Sequence, residues 1–336
     1  MSSNITTPLG LGIVGCGRVV DRRVAPAIRT VEGTQLAAFC SRELPRAQKY
    51  AQTHGAAAAY DRLDAMLSDV RVEAVYIATP NRFHAATAIA CLEAGRHVLV
   101  DKPMALNTAE ARMMIDAANR SGRRLGLLHQ QRFHPVHRRL FELVRDGRLG
   151  RILSVRVQMG FWYNLADNWR TRRELSGGGP AMDLAPHAFD ILHRIVGPVR
   201  RIDARTYRLH FNYEVEDHCA ARMEFDGGAV GTAEFSYCSH HYGGRLEVYG
   251  SEGTFIADGT LQQAERYRLW LRFGTDERPM EEGSASPCFE RLISDFASAV
   301  REGREPMVGM SDGLDVMRVL DAMYESARCE HAIEVA

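Results

Sequence analysis

The first 128 residues alternate short apolar runs, rich in β-branched residues, with segments of helical periodicity. The apolar runs have the length of buried strands and cover residues 9–14, 35–40, 74–78, 97–100 and 124–128. Strands separated by helices of roughly 10–15 residues are typical of βαβ units, whose crossovers make neighbouring strands parallel. The chain is therefore predicted to begin with a doubly wound α/β domain over residues 1–128, with helices on both faces of a parallel sheet.

Beyond residue 129 the pattern changes to the period-two alternation of half-buried strands, which starts at Ile152. Glycine-containing turns at 226–228, 250–253 and 274–276 interrupt it and predict hairpins. We expect about six strands in an antiparallel meander, with helices over one face. Two further helices, at 288–302 and 312–328, close the chain. Residues 129–336 are thus predicted to form a second, α+β domain.

The composition limits the classes of protein to which the chain can belong. Its 42 basic and 42 acidic residues give a formal net charge of zero, whereas nucleic-acid-binding proteins carry a basic surface. No apolar run approaches the ~20 residues of a membrane span, and the N-terminus lacks the apolar stretch of a secretory signal. The seven cysteines are scattered and form no Cys-x-x-Cys pair, which is typical of reduced thiols. We therefore expect a cytoplasmic enzyme whose partners include neither nucleic acid nor membrane.

A glycine turn follows the first predicted strand directly. Gly15 and Gly17 supply the first two glycines of the Gly-x-Gly-x-x-Gly pattern, and Val20 stands in place of the third. In a βαβ unit these glycines allow a tight turn and bring backbone N–H groups close to a pyrophosphate at the helix N-terminus. A Gly-x-Gly pair also fits an ordinary tight turn, but its position after the first strand favours a dinucleotide site.

The end of the second predicted strand indicates which dinucleotide binds. NAD enzymes usually place a carboxylate there to hold the ribose 2′-hydroxyl, whereas this chain has Ser41 and Arg42. A guanidinium binds phosphate in a bidentate manner, so we predict NADP(H) in preference to NAD(H). Two alternatives stay open, because Arg42 can stack on adenine and Glu43 can reach a ribose. Forty of the 42 basic residues are arginine, which reduces the weight of any single one.

Lysine is rare in this chain, and one of its two lysines lies at the end of a predicted strand. Lys102 follows the fourth strand in the triplet Asp101-Lys102-Pro103, whereas Lys49 lies in a polar helix. The third strand ends in the run 79–84, which reads Thr-Pro-Asn-Arg-Phe-His. Ligands of a doubly wound sheet bind beyond the carboxyl ends of its strands, so both segments are predicted to face the cofactor. Lys49 is more typical of an ordinary surface lysine than Lys102 is.

Asp183 and His187 form a second candidate pair. They follow the glycine run 177–179 and are four residues apart in a stretch of helical pattern, so their side chains share one helix face. Histidine titrates near neutral pH and can exchange a hydroxyl proton, and a carboxylate beside it can orient a substrate. The pair is therefore a candidate for general acid–base chemistry.

These motifs together resemble the glucose–fructose oxidoreductase and inositol dehydrogenase family of NAD(P)-dependent enzymes. The matching segments are 15–20, 79–84, 101–103, 131–135 and 177–190, in the family's order and over nearly the whole chain. Two positions depart from the family's pattern, since Asp101 stands where it usually has glutamate and Gln130 where many members have asparagine. The second departure alters one expected hydrogen bond to substrate or cofactor.

The resemblance implies a Rossmann domain followed by a domain with a large, predominantly antiparallel open sheet, which often joins protomers into homodimers or homotetramers. It also implies hydride transfer between nicotinamide C4 and a carbinol or carbonyl carbon of a sugar, cyclitol or related polyol. By the same resemblance, Lys102 would hydrogen-bond to the reacting oxygen. His187 would act as general acid and base, and Asp183 would bind a neighbouring hydroxyl.

Two sets of binding residues follow from the motifs and the resemblance. The cofactor-binding set comprises Gly15, Gly17, Arg18, Val19, Ser41, Arg42, Thr79, Pro80, Asn81, His84, Asp101 and Lys102. The substrate-binding set comprises Gln130, Arg132, Tyr163, Trp169, Arg170, Asp183 and His187. Aromatic faces with amide and guanidinium donors suit a polyol, whose C–H groups are apolar and whose hydroxyls need hydrogen bonds.

Three other functions are compatible with parts of this pattern. A metal enzyme would need three or four ligands, but the histidine pairs 134/137 and 240/241 and the pair 183/187 form no such set, so no metal is expected. A dinucleotide sensor without activity has little reason to keep the lysine, the aspartate and the histidine together. A glycoside-cleaving enzyme that uses NAD transiently would share the site but leave no net change in NAD(P)H.

Overall fold

Two sheets organise the chain, each in its own compact unit. The computed structural model describes residues 7–164, 168–240, 244–262, 266–284 and 287–336. Residues 7–105, 109–128 and 289–313 belong to the first unit. The second unit takes in residues 106–108 and 314–336 and the described parts of 129–288. Among the described helices, none is long and apolar enough to span a membrane.

The first unit is built around a parallel sheet, and the prediction of a doubly wound α/β domain is confirmed. Within the described residues its strands are β1 (Leu9–Val14), β2 (Thr34–Cys40), β3 (Ala58–Tyr60), β4 (Ala74–Ile77), β5 (His97–Val100) and β6 (Leu125–Leu127). They pair in the order β3-β2-β1-β4-β5-β6, and every pair is parallel. The strand order reverses between β1 and β4, which is where such a sheet binds its ligand.

Burial explains why these segments form strands. β1 and β4 are buried along their whole length, the continuous apolar pattern of strands covered on both faces. The helices of this segment are α1 (Ala25–Thr30), α2 (Leu44–His54), α3 (Leu63–Leu67), α4 (His84–Glu93) and α5 (Thr108–Ser121). A π-helical turn, Val20–Val24, precedes α1, and a 3-10 turn, Asn81–Phe83, precedes α4. The sequence pattern misses β3, because its three half-buried residues lie at the sheet edge and two are alanine.

The second unit carries a larger sheet together with α6 (Pro135–Arg145), α7 (Arg173–Ser176) and α8 (Pro180–Val196). Its described strands are β7 (Ile152–Gly160), β8 (Val199–Tyr207), β9 (His218–Phe225), β10 (Val230–Ser236), β11 (Arg245–Gly250), β12 (Gly253–Asp258), β13 (Arg266–Phe273), β14 (Asp276–Glu277), β15 (Glu281–Ser284) and β16 (Ile333–Glu334). They pair in the order β14-β13-β12-β11-β7-β10-β9-β8-β16, and β15 also pairs with β13. The predominantly antiparallel character of the sheet is confirmed.

The expectation of about six antiparallel strands is wrong in the number of strands and in one pairing. Ten strands are present in the described residues, and β7 runs parallel to β10. The parallel pair arises because α8 and the antiparallel strands β8 and β9 lie between β7 and β10 along the chain. β14, β15 and β16 have only two to four residues, which is too short for a periodic pattern to show.

The last part of the chain forms α9 (Cys288–Glu302) and α10 (Met310–Cys329). Residues 289–313 belong to the first unit, whereas the sequence pattern assigns all of 129–336 to the second domain. The Leu127 N–H donates to the Val308 carbonyl at 3.1 Å, and Gly126 forms a bridge with Gly309. The Phe296 ring packs so closely on β6 that a Cβ at Gly126 would lie 3.0 Å from it. These contacts join segments far apart in sequence, so no local pattern reveals them.

Candidate active site

The glycine turn after β1 has the conformation that a dinucleotide-binding turn needs. Gly15 has a φ of +102°, and a Cβ there would lie 2.5 Å from the Ala78 carbonyl oxygen, so only glycine fits. The Gly15 N–H donates to the Cys40 carbonyl at 2.9 Å, which ties the turn to the end of β2. Among the described residues other than its own chain neighbours, none has a heavy atom within 4 Å of a Cβ built on Gly17. The turn is thus held on one side and open on the other.

Val20, which replaces the third glycine of the pattern, is fully buried. It begins the π-helical turn Val20–Val24, so the helix starts wide before it tightens into α1. Arg18 is exposed and Val19 is half-buried, so these two predicted cofactor residues remain accessible from solvent. The departure from the glycine pattern therefore serves core packing and leaves the turn itself intact.

A second arginine accompanies the predicted pair at the end of β2. Ser41 is half-buried and Arg42 is exposed. Arg46, in the first turn of α2, donates from its guanidinium group to the Cys16 carbonyl oxygen at 2.5 Å. The segment after β2 thus carries a hydroxyl and two guanidinium groups, the donors that suit a phosphate. Arg46 is one of forty arginines, so the sequence offers no sign of its contact with the glycine turn.

A buried histidine joins the ends of β4 and β5. The His84 ring nitrogens lie 2.8 Å from the Pro103 carbonyl oxygen and 3.0 Å from the Thr79 carbonyl oxygen, and His84 is 1% exposed. Burial lowers the pKa of His84, so the neutral ring donates to one of these carbonyls at a time. His84 belongs to the cofactor-binding set that the sequence predicts. In the structure both of its ring nitrogens lie against protein carbonyls and thereby join the two strand ends.

Lys102 lies half-buried in the turn after β5. Its backbone N–H donates to Oδ1 of Asp101 at 2.9 Å. On its other side the Lys102–Pro103 peptide bond is cis, and the Pro103 carbonyl contacts His84. Met104, which follows, is buried. The backbone that bears the lysine side chain is therefore fixed from both directions.

The first unit fits a bound dinucleotide on two counts. The open side of Gly17 leaves room beside backbone N–H groups at the start of a helix, where a pyrophosphate binds. The Thr79 Oγ1 atom is buried and has no hydrogen-bond partner among the described residues, as expected for a group that meets a ligand atom. Pro80 and Asn81 follow Thr79, and Asn81 is buried at the start of its 3-10 turn.

In the second unit a buried glutamate fixes the start of α8. Oε1 of Glu216 accepts hydrogen bonds from the Gly179 N–H at 2.8 Å and from the Tyr324 hydroxyl at 2.7 Å. A Cβ at Gly178 would lie 1.9 Å from the Tyr324 hydroxyl oxygen, so this close approach requires glycine. Burial raises the pKa of Glu216. The glycine run thus positions the helix that bears Asp183, and the sequence gives no sign of the two residues that hold it.

Asp183 lies in the first turn of α8, where two donors approach it. The Tyr237 hydroxyl donates to its Oδ2 atom at 2.9 Å, and Nε of Arg170 lies 3.5 Å from the same atom. The Arg170 guanidinium stacks on the Trp169 ring, 4.4 Å from its centroid. The structure therefore brings Trp169, Arg170 and Asp183 of the predicted set together. It adds Tyr237, which no sequence motif singles out.

His187 is one turn beyond Asp183 on α8, so the two side chains share a helix face. His187 is buried, and its ring centroid lies 6.5 Å from that of His129 with the rings nearly perpendicular, at 88°. Edge-to-face packing of this kind restrains the imidazole in the orientation it has. His187 and Asp183 belong to the second unit, and Lys102 belongs to the first.

Arg132, which the sequence places in the substrate-binding set, pairs with a buried carboxylate in the structure. Its Nε lies 2.9 Å from both carboxylate oxygens of Asp190 and its Nη2 lies 2.7 Å from one of them. The two side chains are 2% and 1% exposed, so both charges are buried and each balances the other. The pair joins the 3-10 turn Gln130–Phe133 to α8, three residues after His187.

Gln130 and Tyr163 remain candidates for substrate binding. Gln130 is buried, and its Oε1 atom has no hydrogen-bond partner among the described residues. The Tyr163 N–H donates to the Tyr237 carbonyl at 2.8 Å, and the centroids of these two rings are 5.0 Å apart. Tyr163 thus packs on the residue that holds Asp183.

The described residues contain no group of three or more histidine, cysteine, aspartate or glutamate side chains placed to hold a metal ion. His137 is fully buried, with its ring nitrogens 2.8 Å from the Gln131 carbonyl oxygen and 3.0 Å from the Thr260 hydroxyl. His240 stacks on Trp162 with ring centroids 4.2 Å apart. The second member of that histidine pair, His241, lies outside the described residues.

We expect the buried His137 to make the protein less stable in acid. Burial, reinforced by His134, lowers the pKa of His137 from 6.5 to about 3, so between these values only the unfolded chain takes up the proton. Stability is then lost as the pH falls below about 6.5, by roughly 1.4 kcal/mol per pH unit. Urea unfolding at pH 7 and pH 5 should show a loss roughly 2 kcal/mol larger for the wild type than for His137→Gln. Equal losses in the two proteins would contradict this assignment.

Comparison with known proteins assigns both parts of the chain. Residues 9–129 match the oxidoreductase family with an NAD-binding Rossmann fold, and residues 137–256 match the GFO/IDH/MocA C-terminal domain. D-xylose 1-dehydrogenase (NADP+) 2 of Haloferax volcanii is 30% identical over 96% of this chain and 99% of its own. D-glucoside 3-dehydrogenase of Escherichia coli is 31% identical over 70% of this chain and 72% of its own.

A solved structure shows the same architecture. The aldose–aldose oxidoreductase from Caulobacter crescentus, crystallised with glycerol, has a TM-score of 0.90 and 27% identity to this chain. The match covers 97% of this chain and 99% of that one. With both domains matched in order and a relative aligned over almost the full length, the chain belongs to the Gfo/Idh/MocA family of oxidoreductases with an NAD-binding Rossmann domain.

Proposed function

We propose that the protein transfers a hydride between NADP(H) and a carbinol or carbonyl carbon of a sugar. The observation that carries the proposal is the placement of Lys102. Contacts on both sides fix its backbone, and it lies at the carboxyl end of β5, the sheet edge where the glycine turn also lies. Asp183 and His187 supply an acid–base pair on one face of α8. The names of the relatives, which act on xylose and on glucosides, support a sugar as the substrate.

Three side chains divide the chemistry of the proposed reaction. The nicotinamide, when bound, supplies or accepts the hydride. Lys102 hydrogen-bonds to the reacting oxygen and stabilises the negative charge that develops on it. His187 takes the hydroxyl proton during oxidation and returns it during reduction. Asp183 binds a neighbouring hydroxyl and thereby orients the sugar.

The groups around Asp183 favour a neutral sugar over an anionic one. The positive charge of Arg170 is balanced by Asp183, because Nε of Arg170 lies 3.5 Å from Oδ2 of the carboxylate. Trp169 and Tyr163 add aromatic surface, against which the C–H groups of a polyol can pack. A site for an uncharged polyhydroxyl compound requires few charged side chains and several amphipathic ones. Cyclitols and related polyols share this chemistry.

We expect Arg42→Ala to weaken the binding of NADP+ and to leave that of NAD+ nearly unchanged. Only NADP+ carries a 2′-phosphate, and losing one charge-assisted hydrogen bond costs about 1.5–3 kcal/mol, or roughly a ten- to hundredfold rise in the Michaelis constant. Steady-state kinetics with both cofactors measure the change, with Arg29→Ala as the control, since Arg29 is another exposed arginine of the same unit. Equal effects on the two cofactors, or tighter binding of NAD+ by the wild type, would overturn the preference for NADP(H).

A panel of aldoses, ketoses and inositols tests the proposed function. Each compound is followed at the nicotinamide absorbance with NADP+ and with NAD+, and stoichiometric formation of reduced cofactor from at least one sugar is expected. Cleavage of a glycoside with no net change in the absorbance would instead indicate transient redox chemistry. Tight binding of the dinucleotide without turnover of any panel member would indicate a sensor.

We also propose that the protein works in the cytoplasm, as a homodimer or homotetramer formed through the sheet of the second unit. All seven cysteines are free thiols, as a reducing compartment favours. Burial raises the pKa of Cys16 and of Cys40 to about 11, which keeps these two thiols next to the glycine turn unreactive. Light scattering after size-exclusion chromatography tests the assembly, and a monomer at micromolar concentration would exclude it.

A further inference from the structure

Tyr237 presents a fixed hydroxyl group to Asp183. It directly follows β10 and is fully buried, and its N–H donates to the Asp217 carbonyl at 2.8 Å. Its ring packs against two aromatic rings that also contact each other, with centroids 5.7 Å from Phe161 and 5.0 Å from Tyr163. The hydroxyl that donates to Oδ2 of Asp183 is therefore placed by packing and not by the bond itself.

Arg170 reaches the same carboxylate oxygen from a different element. It lies in the 3-10 turn Trp169–Thr171, whose backbone is capped by the Asn168 side chain. Stacking of the guanidinium on Trp169 holds it in place while its Nε lies 3.5 Å from Oδ2 of Asp183. A phenol and a guanidinium, each held by its own surroundings, thus converge on one oxygen of a carboxylate that α8 carries.

Both donors favour the charged form of Asp183. Burial, and then the negative charge of Asp183, holds the pKa of Tyr237 well above its ordinary value, so the phenol keeps its proton and donates it. Hydrogen bonds to an ionised carboxyl group stabilise that form against protonation. A carboxylate stabilised in this way is a good acceptor for hydroxyl groups and a poor base.

We infer that Tyr237 is a positioning residue that, with Arg170, fixes Asp183 as a permanent anion for binding substrate hydroxyls, and that His187 alone exchanges the reacting proton. The inference rests on the proposed function, because it assigns Asp183 its task within that reaction. It excludes a proton shuttle that passes from His187 through Asp183. The carboxylate contributes orientation and charge, and no proton moves to it during the reaction.

Tyr237→Phe tests the role, because it removes one hydroxyl and keeps the packed ring. We expect kcat/KM to fall roughly ten- to hundredfold, the scale of one hydrogen bond to a charged group. The acidic limb of the pH profile should move to higher pH, because the carboxylate loses a donor to its charged form. The substrate is D-xylose with NADP+, or the fastest sugar of the panel where xylose is inert. Tyr249→Phe is the matched control, since the Tyr249 hydroxyl donates to Glu247 at 2.6 Å elsewhere in the same unit.

A double-mutant cycle separates positioning from a general effect on folding. In an Asp183→Asn background, Tyr237→Phe should change kcat/KM by less than about threefold, because its target charge is already gone. Arg170→Gln, compared in the wild-type and Asp183→Asn backgrounds, gives a second test of the same kind. Multiplicative effects of the Tyr237 and Asp183 substitutions would overturn the inference, as would a wild-type rate and pH profile in Tyr237→Phe.

The same experiment distinguishes failure of the inference from failure of the proposed function. If Asp183→Asn turns over like the wild type, Asp183 has no part in the reaction, and the function as proposed is wrong. If Asp183→Asn is impaired while Tyr237→Phe is not, the proposed function stands and the positioning role fails. Melting temperatures of the single variants close to that of the wild type confirm that the rates describe folded protein.

Discussion

Lys102→Met is expected to lower turnover roughly a hundredfold or more, because the reacting oxygen loses one donor to its developing negative charge. Dinucleotide binding should stay close to that of the wild type. Methionine keeps the length and the apolar stem of the side chain and removes the ammonium group. The backbone on both sides is held by Asp101 and by the contact between Pro103 and His84, so the turn survives the substitution. The loss should therefore appear in kcat more than in the dissociation constant of the dinucleotide.

Single-turnover and steady-state kinetics, together with a fluorescence titration of NADPH, measure these two quantities separately. Lys49→Met is the matched control, since Lys49 is the other lysine and lies exposed on α2. Lys102→Arg is informative in a chain with forty arginines, because it keeps the charge and alters its geometry. We expect it to recover less than a tenth of the wild-type rate. Near-wild-type turnover of Lys102→Met would remove the lysine from the proposed reaction.

The first unit is largely predictable from sequence because its strands are buried on both faces. β1 and β5 begin and end where the apolar runs do. A continuous apolar strand is buried only when both faces of its sheet are covered, so the ends of the apolar run mark the ends of the strand. β3 escapes the pattern because an edge strand of three half-buried residues needs little apolar surface. The assignment of residues 289–313 to this unit depends on their packing against β6, which local periodicity does not encode.

The second unit is less predictable because its sheet depends on long-range pairing. Alternation reveals β9 and β10, whose residues point in turn to a buried and a more exposed face. It does not reveal that β10 pairs on its other side with β7, a parallel strand 76 residues earlier along the chain, as the register of Val230 with Ser154 shows. Register between distant strands is set by the faces that helices such as α8 cover, and that information is tertiary.

The candidate site divides in the same way between local motifs and tertiary contacts. Lys102 and the Asp183–His187 pair are visible in sequence because rarity, position after a strand and helical spacing are local properties. Tyr237 and Glu216 are invisible, because each acts through one contact with α8 that forms only on folding. Local patterns thus identify groups that perform chemistry more readily than the groups that hold them.

Arg132 shows the converse case, in which a residue of a local motif makes a buried tertiary contact that the motif does not reveal. Its segment matches a family motif, which led to its place in the substrate-binding set. The structure pairs it with Asp190, 58 residues later, with Nε 2.9 Å from both carboxylate oxygens and the two side chains 2% and 1% exposed. Burial this complete separates the guanidinium group from solvent, and the carboxylate of Asp190 balances its charge.

Breaking this buried pair should therefore destabilise the protein more than any surface substitution. Arg132→Met leaves Asp190 as an unmatched buried charge and is expected to cost about 3–5 kcal/mol of unfolding free energy, measured by urea denaturation. The double variant Arg132→Met/Asp190→Leu should recover most of that loss, because it removes both charges and keeps the volume filled. Arg268→Met, which breaks an exposed pair with Glu282, is the control and should leave the unfolding midpoint near that of the wild type.

The double variant also tests whether Arg132 contacts substrate. If the pair only holds α8 in place, the folded double variant keeps a Michaelis constant for sugar within a few fold of the wild type, because Asp183 and His187 lie on the preceding turns of the same helix. A large rise in that constant with stability restored would support the place of Arg132 in the substrate-binding set. A small loss of stability in Arg132→Met alone would show instead that Asp190 finds other partners, and the pair would then not be what fixes α8.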